Sequence, residues 1–177
     1  MNALILAAGY ATRLYPLTLN KAKPLLVVGG KPIIEWVVDN LHGVPDLETI
    51  YVVTNDKFAA DFQAWSERYQ NRHPQFKFKI VNDGSKSDDD KLGAIGDINF
   101  VVTREKLNQS SMLIIAGDNL FTESLEGFVI CAKGSEATDC ALRFELDATG
   151  QGPLRPRSIL RSSDIASSFR ENEKCAH

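Results

Sequence analysis

Cysteine, histidine and long apolar runs are all scarce in this chain of 177 residues, and each scarcity removes a class of protein. The three cysteines, Cys131, Cys140 and Cys175, form no CxxC pair and no Cys/His metal spacing. An odd, sparse set of this kind argues against a disulfide scaffold and fits a reducing cytoplasm. His42, His73 and His177 stand in no catalytic or metal-ligating pattern. The first apolar stretch is too short for a signal peptide and lacks a charged lead. No segment has the length and apolarity of a membrane span, so no membrane is expected as a partner. The net charge of −3 gives no global basic field, so no nucleic acid is expected either. There is no internal repeat.

What is present is a foldable chain. Hydrophobic residues make up 44%, enough for a substantial core, and the length suits one domain or one domain with a small extension. Strand-like and helix-like stretches alternate. Ala3–Leu6 reads as a core strand. "PIIEWVVDNLHG" carries Ile33, Ile34, Val37, Val38 and Leu41 at helical spacing, with Pro32 at the first helical position and Gly43 as the stop. "TIYVVTN" is a β-branched strand, and "DKFAADFQAWSERYQ" places Phe58, Phe62, Trp65 and Tyr69 on one helical stripe, which reads as core. "FKFKIV" alternates apolar residues with lysines, the pattern of a half-exposed strand near an edge. A helix over "LGAIGDINFVVTREKL", a strand in "SMLIIAGDN", a helix in "LEGFVICAKG" and a strand in "TDCALRFEL" follow. This β-α order predicts an α/β fold, a mostly parallel sheet with helices on both faces. Ligands of such sheets gather beyond the carboxyl ends of the strands.

Two strand ends stand out. After Leu6 the backbone is nearly bare at Ala7, Ala8 and Gly9, and Arg13, Lys21 and Lys23 follow. Small residues let main-chain N–H groups approach an anion, and an arginine can fork two phosphate oxygens. No G-K-[ST] follows the glycine, so this is no P-loop, and GxGxxG is missing. On spacing alone two readings stand: an anion site, and a strand-to-helix connection with solvated basic residues. Gly117, Asp118 and Asn119 end a second strand, where Asp118 is either a metal ligand or a helix cap. "NDGSKSDDDK" reads as a solvated polar loop, since adjacent like charges face water.

The stretch "LILAAGYATRLYPLTLNKAKPLLVVGGKPII", Leu4 to Ile34, strongly resembles the signature of the sugar-1-phosphate nucleotidylyltransferases. Thr54–Asn55, the polar loop leading to Gly93, and "GDN" agree in order with the same family. The resemblance covers about Met1 to Leu146. It implies a Rossmann-like three-layer α/β/α fold. It also implies a reaction in which a nucleoside triphosphate and a sugar 1-phosphate give a nucleotide-sugar and pyrophosphate, with Mg²⁺ as cofactor. By position, the backbone of Leu6, Ala7, Ala8 and Gly9, with Thr12, lines the nucleotide. Arg13 holds the triphosphate and stabilises the departing pyrophosphate, and Lys23 contacts the phosphates at the reacting centre. Asn82 stands where many members read the base with glutamine, Gly93 packs against the base, and Asp118 binds Mg²⁺. dTTP or UTP with a hexose 1-phosphate is the family expectation.

The chain departs from the pattern at three positions within the signature and loop. Ala11 replaces a glycine, Ala22 replaces a proline, and Asn82 is shorter than glutamine. The larger departure comes after Leu146, where "DATGQGPLRPRSILRSSDIASSFRENEKCAH" shows no clear hydrophobic period and is rich in Ser, Arg, Gly and Pro. Residues 1–147 are therefore expected to form the nucleotide-binding half, and 148–177 an irregular, non-family tail. The expectation is a truncated or altered C-terminal half, in which no motif supports Asp164 as a second metal ligand. Besides an active enzyme, two further readings follow: a nucleotide-binding remnant or regulatory subunit with little turnover, and an interaction domain that binds no nucleotide. A homo-oligomer would cover an open sheet edge or an unfinished core.

Overall fold

The computed structural model describes residues 1–107, 110–120, 124–134, 140–145 and 155–161, beyond residue 130 as backbone elements only. The chain divides into two compact units, Met1–Phe121 and Thr122–His177.

The first unit is built on four strands: β1 (Asn2–Leu6), β4 (Thr49–Thr54), β5 (Phe78–Asn82) and β6 (Met112–Ala116). Their order is β5-β4-β1-β6, and every pairing is parallel. The register aligns Leu6 with Val53 and with Ala116, so three strand ends share one rim. Alternate side chains feed two faces. On one face Leu4, Tyr51, Val53 and Val81 pack with Val101 of α3 (Gly93–Arg104) and with Leu107. On the other face Phe78 meets Trp65 and Tyr69 of α2 (Ala59–Arg72) at 5.3 and 5.7 Å between ring centroids. Helices thus cover both faces of a parallel sheet, the expected Rossmann-like fold class. The lysine-alternating strand β5 is an outer strand of this sheet.

The aromatic stripe of α2 is core: Phe58, Phe62, Trp65 and Tyr69 are all buried. His42 and His73 pack as rings against Phe76 and Tyr69. Helix α1 (Ile33–Asp39) is shorter than the expected run to Gly43. The Asn40 side chain donates to the Trp36 carbonyl at 2.8 Å, and Leu41 N–H closes a tighter turn onto Val38. These bonds satisfy helix-end carbonyls and stop propagation. A short hairpin, β2 (Val27–Val28) with β3 (Lys31–Pro32), turns at Gly29–Gly30 and precedes α1. The alternation of longer elements did not announce it.

The second unit holds α4 (Glu126–Gly134), β7 (Cys140–Glu145) and β8 (Arg155–Arg161). β7 falls in the stretch expected as a strand, but it pairs antiparallel with β8 in a two-stranded sheet. β8 lies in the stretch expected to be irregular. The signal there is short: Ile159 and Leu160 are the only apolar pair in Arg155–Arg161, and the strand is defined by its partner rather than by its own period. Cys175, His177 and Asp164 lie outside the described residues.

Candidate functional site

The register that aligns three strand ends decides where the site lies. The Ala7 N–H still donates to the Val53 carbonyl at 2.9 Å and ends the ladder on that side. From Ala8 to Thr12 the backbone amides make no such bond among the described residues. On the other side the Gly117 N–H donates to the Leu6 carbonyl at 2.8 Å. A Cβ on Gly117 would sit 2.9 Å from that oxygen and 3.0 Å from Ile5, so only glycine lets β6 close this tightly on β1. The next residue, Asp118, is thereby brought beside the bare loop.

An open cavity of about 700 Å³ occupies this rim, a size suited to a small-molecule ligand. It is lined by Leu6, Ala7, Ala8, Gly9, Thr12 and Arg13 from the opening loop. Lys23, Gly93 and Asp118 complete the expected set. The structure therefore brings together, from four separate stretches, all the expected site residues except one. Asn82 does not line the cavity. Its amide donates to the Asp56 carboxylate at 2.7 Å and its oxygen accepts the Gly84 N–H at 2.8 Å, so both ends are engaged in the turn after β5.

The loop has its own supports, several unannounced by the motif. Asn55, fully buried at the end of β4, donates to the Ala8 carbonyl at 2.9 Å and accepts the Phe58 N–H at 3.2 Å. Tyr10 donates to the Ser85 carbonyl at 3.0 Å. Thr18 donates to the Ala11 carbonyl at 2.8 Å, which also receives the Leu14 N–H. Ala11, where the family pattern has glycine, sits at φ 49, ψ 43, in the left-handed region that a Cβ disfavours. Gly93 opens α3 at φ +74, a conformation open to glycine without strain. Gly9 has no protein atom within 4 Å of where its Cβ would be, so the fold itself does not demand a glycine there.

Charge around the cavity is mixed. Lys23 Nζ lies 2.7 Å from Asp118 Oδ2, so the two side chains to which the resemblance assigns phosphate and Mg²⁺ face each other directly. Lys91 pairs with Asp88 at 2.8 Å on the polar loop. That loop is ordered rather than merely solvated. Asp90 accepts the amides of Lys86 and Ser87, which hold its carboxyl below the usual range, and Asp88 and Lys91 reach the cavity wall. Arg13 faces the cavity without a carboxylate partner among the described residues. Asp97 of α3 lies in the wall as well. Burial, and then the neighbouring Asp83 charge, push its carboxyl up to about 6. No cluster of three or more metal-ligating side chains occurs among the described residues.

Residues 2–150 match the family model described as nucleotidyl transferase. The chain belongs to that family. Among curated relatives, the bifunctional protein GlmU of Methanocaldococcus jannaschii is 31% identical over 130 residues, covering 73% of this chain and 28% of that protein. The UTP–glucose-1-phosphate uridylyltransferase AglF of Haloferax volcanii is 28% identical over 145 residues, covering 82% of this chain and 54% of that one. A crystal structure of UDP-glucose pyrophosphorylase complexed with UDP-glucose superposes with a TM-score of 0.57 at 17% identity, over 90% of this chain and 68% of that one. At that identity the likeness speaks for the fold. The chain spans about 28% of the length of the GlmU protein it matches. No helix among the described residues is long and apolar enough to cross a membrane.

Proposed function

We propose that this nucleotidyl transferase chain binds a nucleoside triphosphate at the rim of β1, β4 and β6. We further propose that it transfers the nucleoside monophosphate to a sugar 1-phosphate. The observation that carries the reading is Arg13, a guanidinium that has no carboxylate partner among the described residues and lies beside a loop whose amides from Ala8 to Thr12 make no backbone bond among them. An anion with several oxygens satisfies both at once. In the reaction a phosphate oxygen of the sugar attacks the α-phosphorus. The bond from that phosphorus to the bridging oxygen breaks, and its electron pair leaves with pyrophosphate. The nucleophile is already anionic, so no general base is needed. Catalysis consists of holding two anions together and stabilising charge on the leaving group. Arg13 takes the pyrophosphate end, and Lys23 the reacting phosphate after turning from Asp118.

Asp118 fits Mg²⁺. It offers a hard carboxylate at the cavity, and Mg²⁺ commonly takes one or two protein carboxylates beside phosphate oxygens. Bound there, the ion would neutralise phosphate charge. UTP or dTTP is the nucleotide we favour, in line with the uridylyltransferase named among the relatives. A cytoplasmic setting suits both the substrates and the sparse cysteines.

The test is pyrophosphate release by the purified chain from each of the four NTPs, paired with glucose 1-phosphate, mannose 1-phosphate or choline phosphate. Release is expected with UTP or dTTP and a hexose phosphate, falling at least about a hundredfold in Arg13→Ala. Nucleotide binding without release under any pairing would favour a regulatory or remnant role. No nucleotide binding at all would sink both.

A further inference from the structure

Two carboxyls meet at the cavity wall. Asp97, on α3 one turn beyond Gly93, is only 6% exposed, and its Oδ1 is buried without a partner. Asp83, in the turn after β5, has its Oδ2 buried and likewise unpartnered. The two side chains lie within hydrogen-bond reach of each other. Two bare carboxylates cannot be buried side by side without large cost, whereas one proton between them satisfies both orphaned oxygens.

We propose that Asp97 carries a proton that it donates to Asp83, and that the two act as a positioning pair that sets the phosphate-binding loop. The mechanical link is explicit. The other oxygen of Asp83 accepts both the backbone N–H and the hydroxyl of Ser85, each at 2.7 Å. The Ser85 carbonyl in turn accepts Tyr10 of the opening loop at 3.0 Å and the Asp56 N–H at 3.0 Å. The pair therefore clasps the turn after β5 to α3, and the turn holds Tyr10. Loss of the proton makes the carboxyls repel, and the strain passes through Ser85 to the loop that faces the nucleotide. Burial first, and then the charge on Asp83, raise the Asp97 carboxyl. Arg13, Lys23, Asp88, Lys91 and Asp118 line the same cavity, and none of them hydrogen-bonds Asp97 Oδ1.

The inference rests on the nucleotide reading for its consequence but not for the pair itself, so two measurements separate them. Carboxyl ¹³C NMR of the nucleotide-free chain is expected to show Asp97 titrating well above ordinary aspartate. Titration at an ordinary position overturns the proposal whether or not nucleotide binds. Calorimetry with whichever of the four NTPs binds tightest reads the consequence. Between about pH 5 and pH 8 the wild type is expected to lose about tenfold in affinity relative to Asp97→Asn, which keeps the hydrogen bond and lacks the charge. Asp97→Ala, which cannot make the bond, is expected to bind weakly at both pH values. Parallel pH profiles for wild type and Asp97→Asn would overturn the positioning role.

Discussion

At the scale of single residues, the loop after β1 is specified by small departures from what a Cβ tolerates. Gly117 is forced by the approach of β6 to Leu6. Ala11 is the converse, a residue with a Cβ held in a left-handed turn by two hydrogen bonds to its carbonyl. Ala11→Gly is expected to raise stability by up to about 1 kcal/mol, because relief of the left-handed strain outweighs the extra entropy of an unfolded glycine. Chemical denaturation would measure it, and a destabilised variant would contradict the account. The glycine-poor motif was visible in the sequence. That the alanine pays for its position in backbone conformation was not, since φ belongs to the folded loop. Asn55 and Tyr10 were legible only as members of a motif. Their hydrogen bonds to Ala8 and Ser85 cross 47 and 75 positions of sequence, beyond any local pattern.

At the scale of elements, α1 and α2 are joined by buried polar groups as well as by apolar stripes. Glu35 of α1 is buried and accepts Trp65 Nε1–H at 3.1 Å and Arg72 at 3.0 Å, both from α2. Asp39 accepts the Tyr69 hydroxyl at 2.8 Å and pairs with Lys31. Glu35→Ala is expected to cost about 1–3 kcal/mol, because the buried indole N–H loses its acceptor. Glu35→Gln should recover most of it, and equal losses in the two variants would show that the volume, not the bond, matters. Periodicity found both helices and the stripe of α2 because burial follows the helical period. The early stop of α1 escaped it because a side chain, Asn40, captures the Trp36 carbonyl that the helix would otherwise carry forward. β8 escaped it because its pairing, not its own apolar pattern, defines the strand.

At the scale of the whole molecule, stability carries the mark of the Asp83–Asp97 pair. The Asp97 carboxyl is raised from 3.8 to about 6 in the fold. A group raised on folding contributes stability that is fully present below its unfolded value and is lost as pH rises through its folded value. The window is therefore about pH 4 to 6. Asp97→Asn should melt with the wild type near the acid end of that window and several degrees above it at neutral pH, as followed by calorimetric scans. A constant difference across the range would leave the Asp97 proton without a role in stability.

Several properties were determined by sequence alone, because they depend on neighbours in the chain. These were the alternation of strand and helix, the bare loop after Leu6, and the expectation of a phosphate-binding family signature. The tertiary structure decided what depends on neighbours in space. Parallel register put Leu6, Val53 and Ala116 on one rim and so delivered Asp118 to Lys23 across 95 positions. The same packing turned Asn82 into a turn-former rather than a cavity residue, and set Asp97 against Asp83. No window of sequence contains those distances, which arise only when the sheet closes.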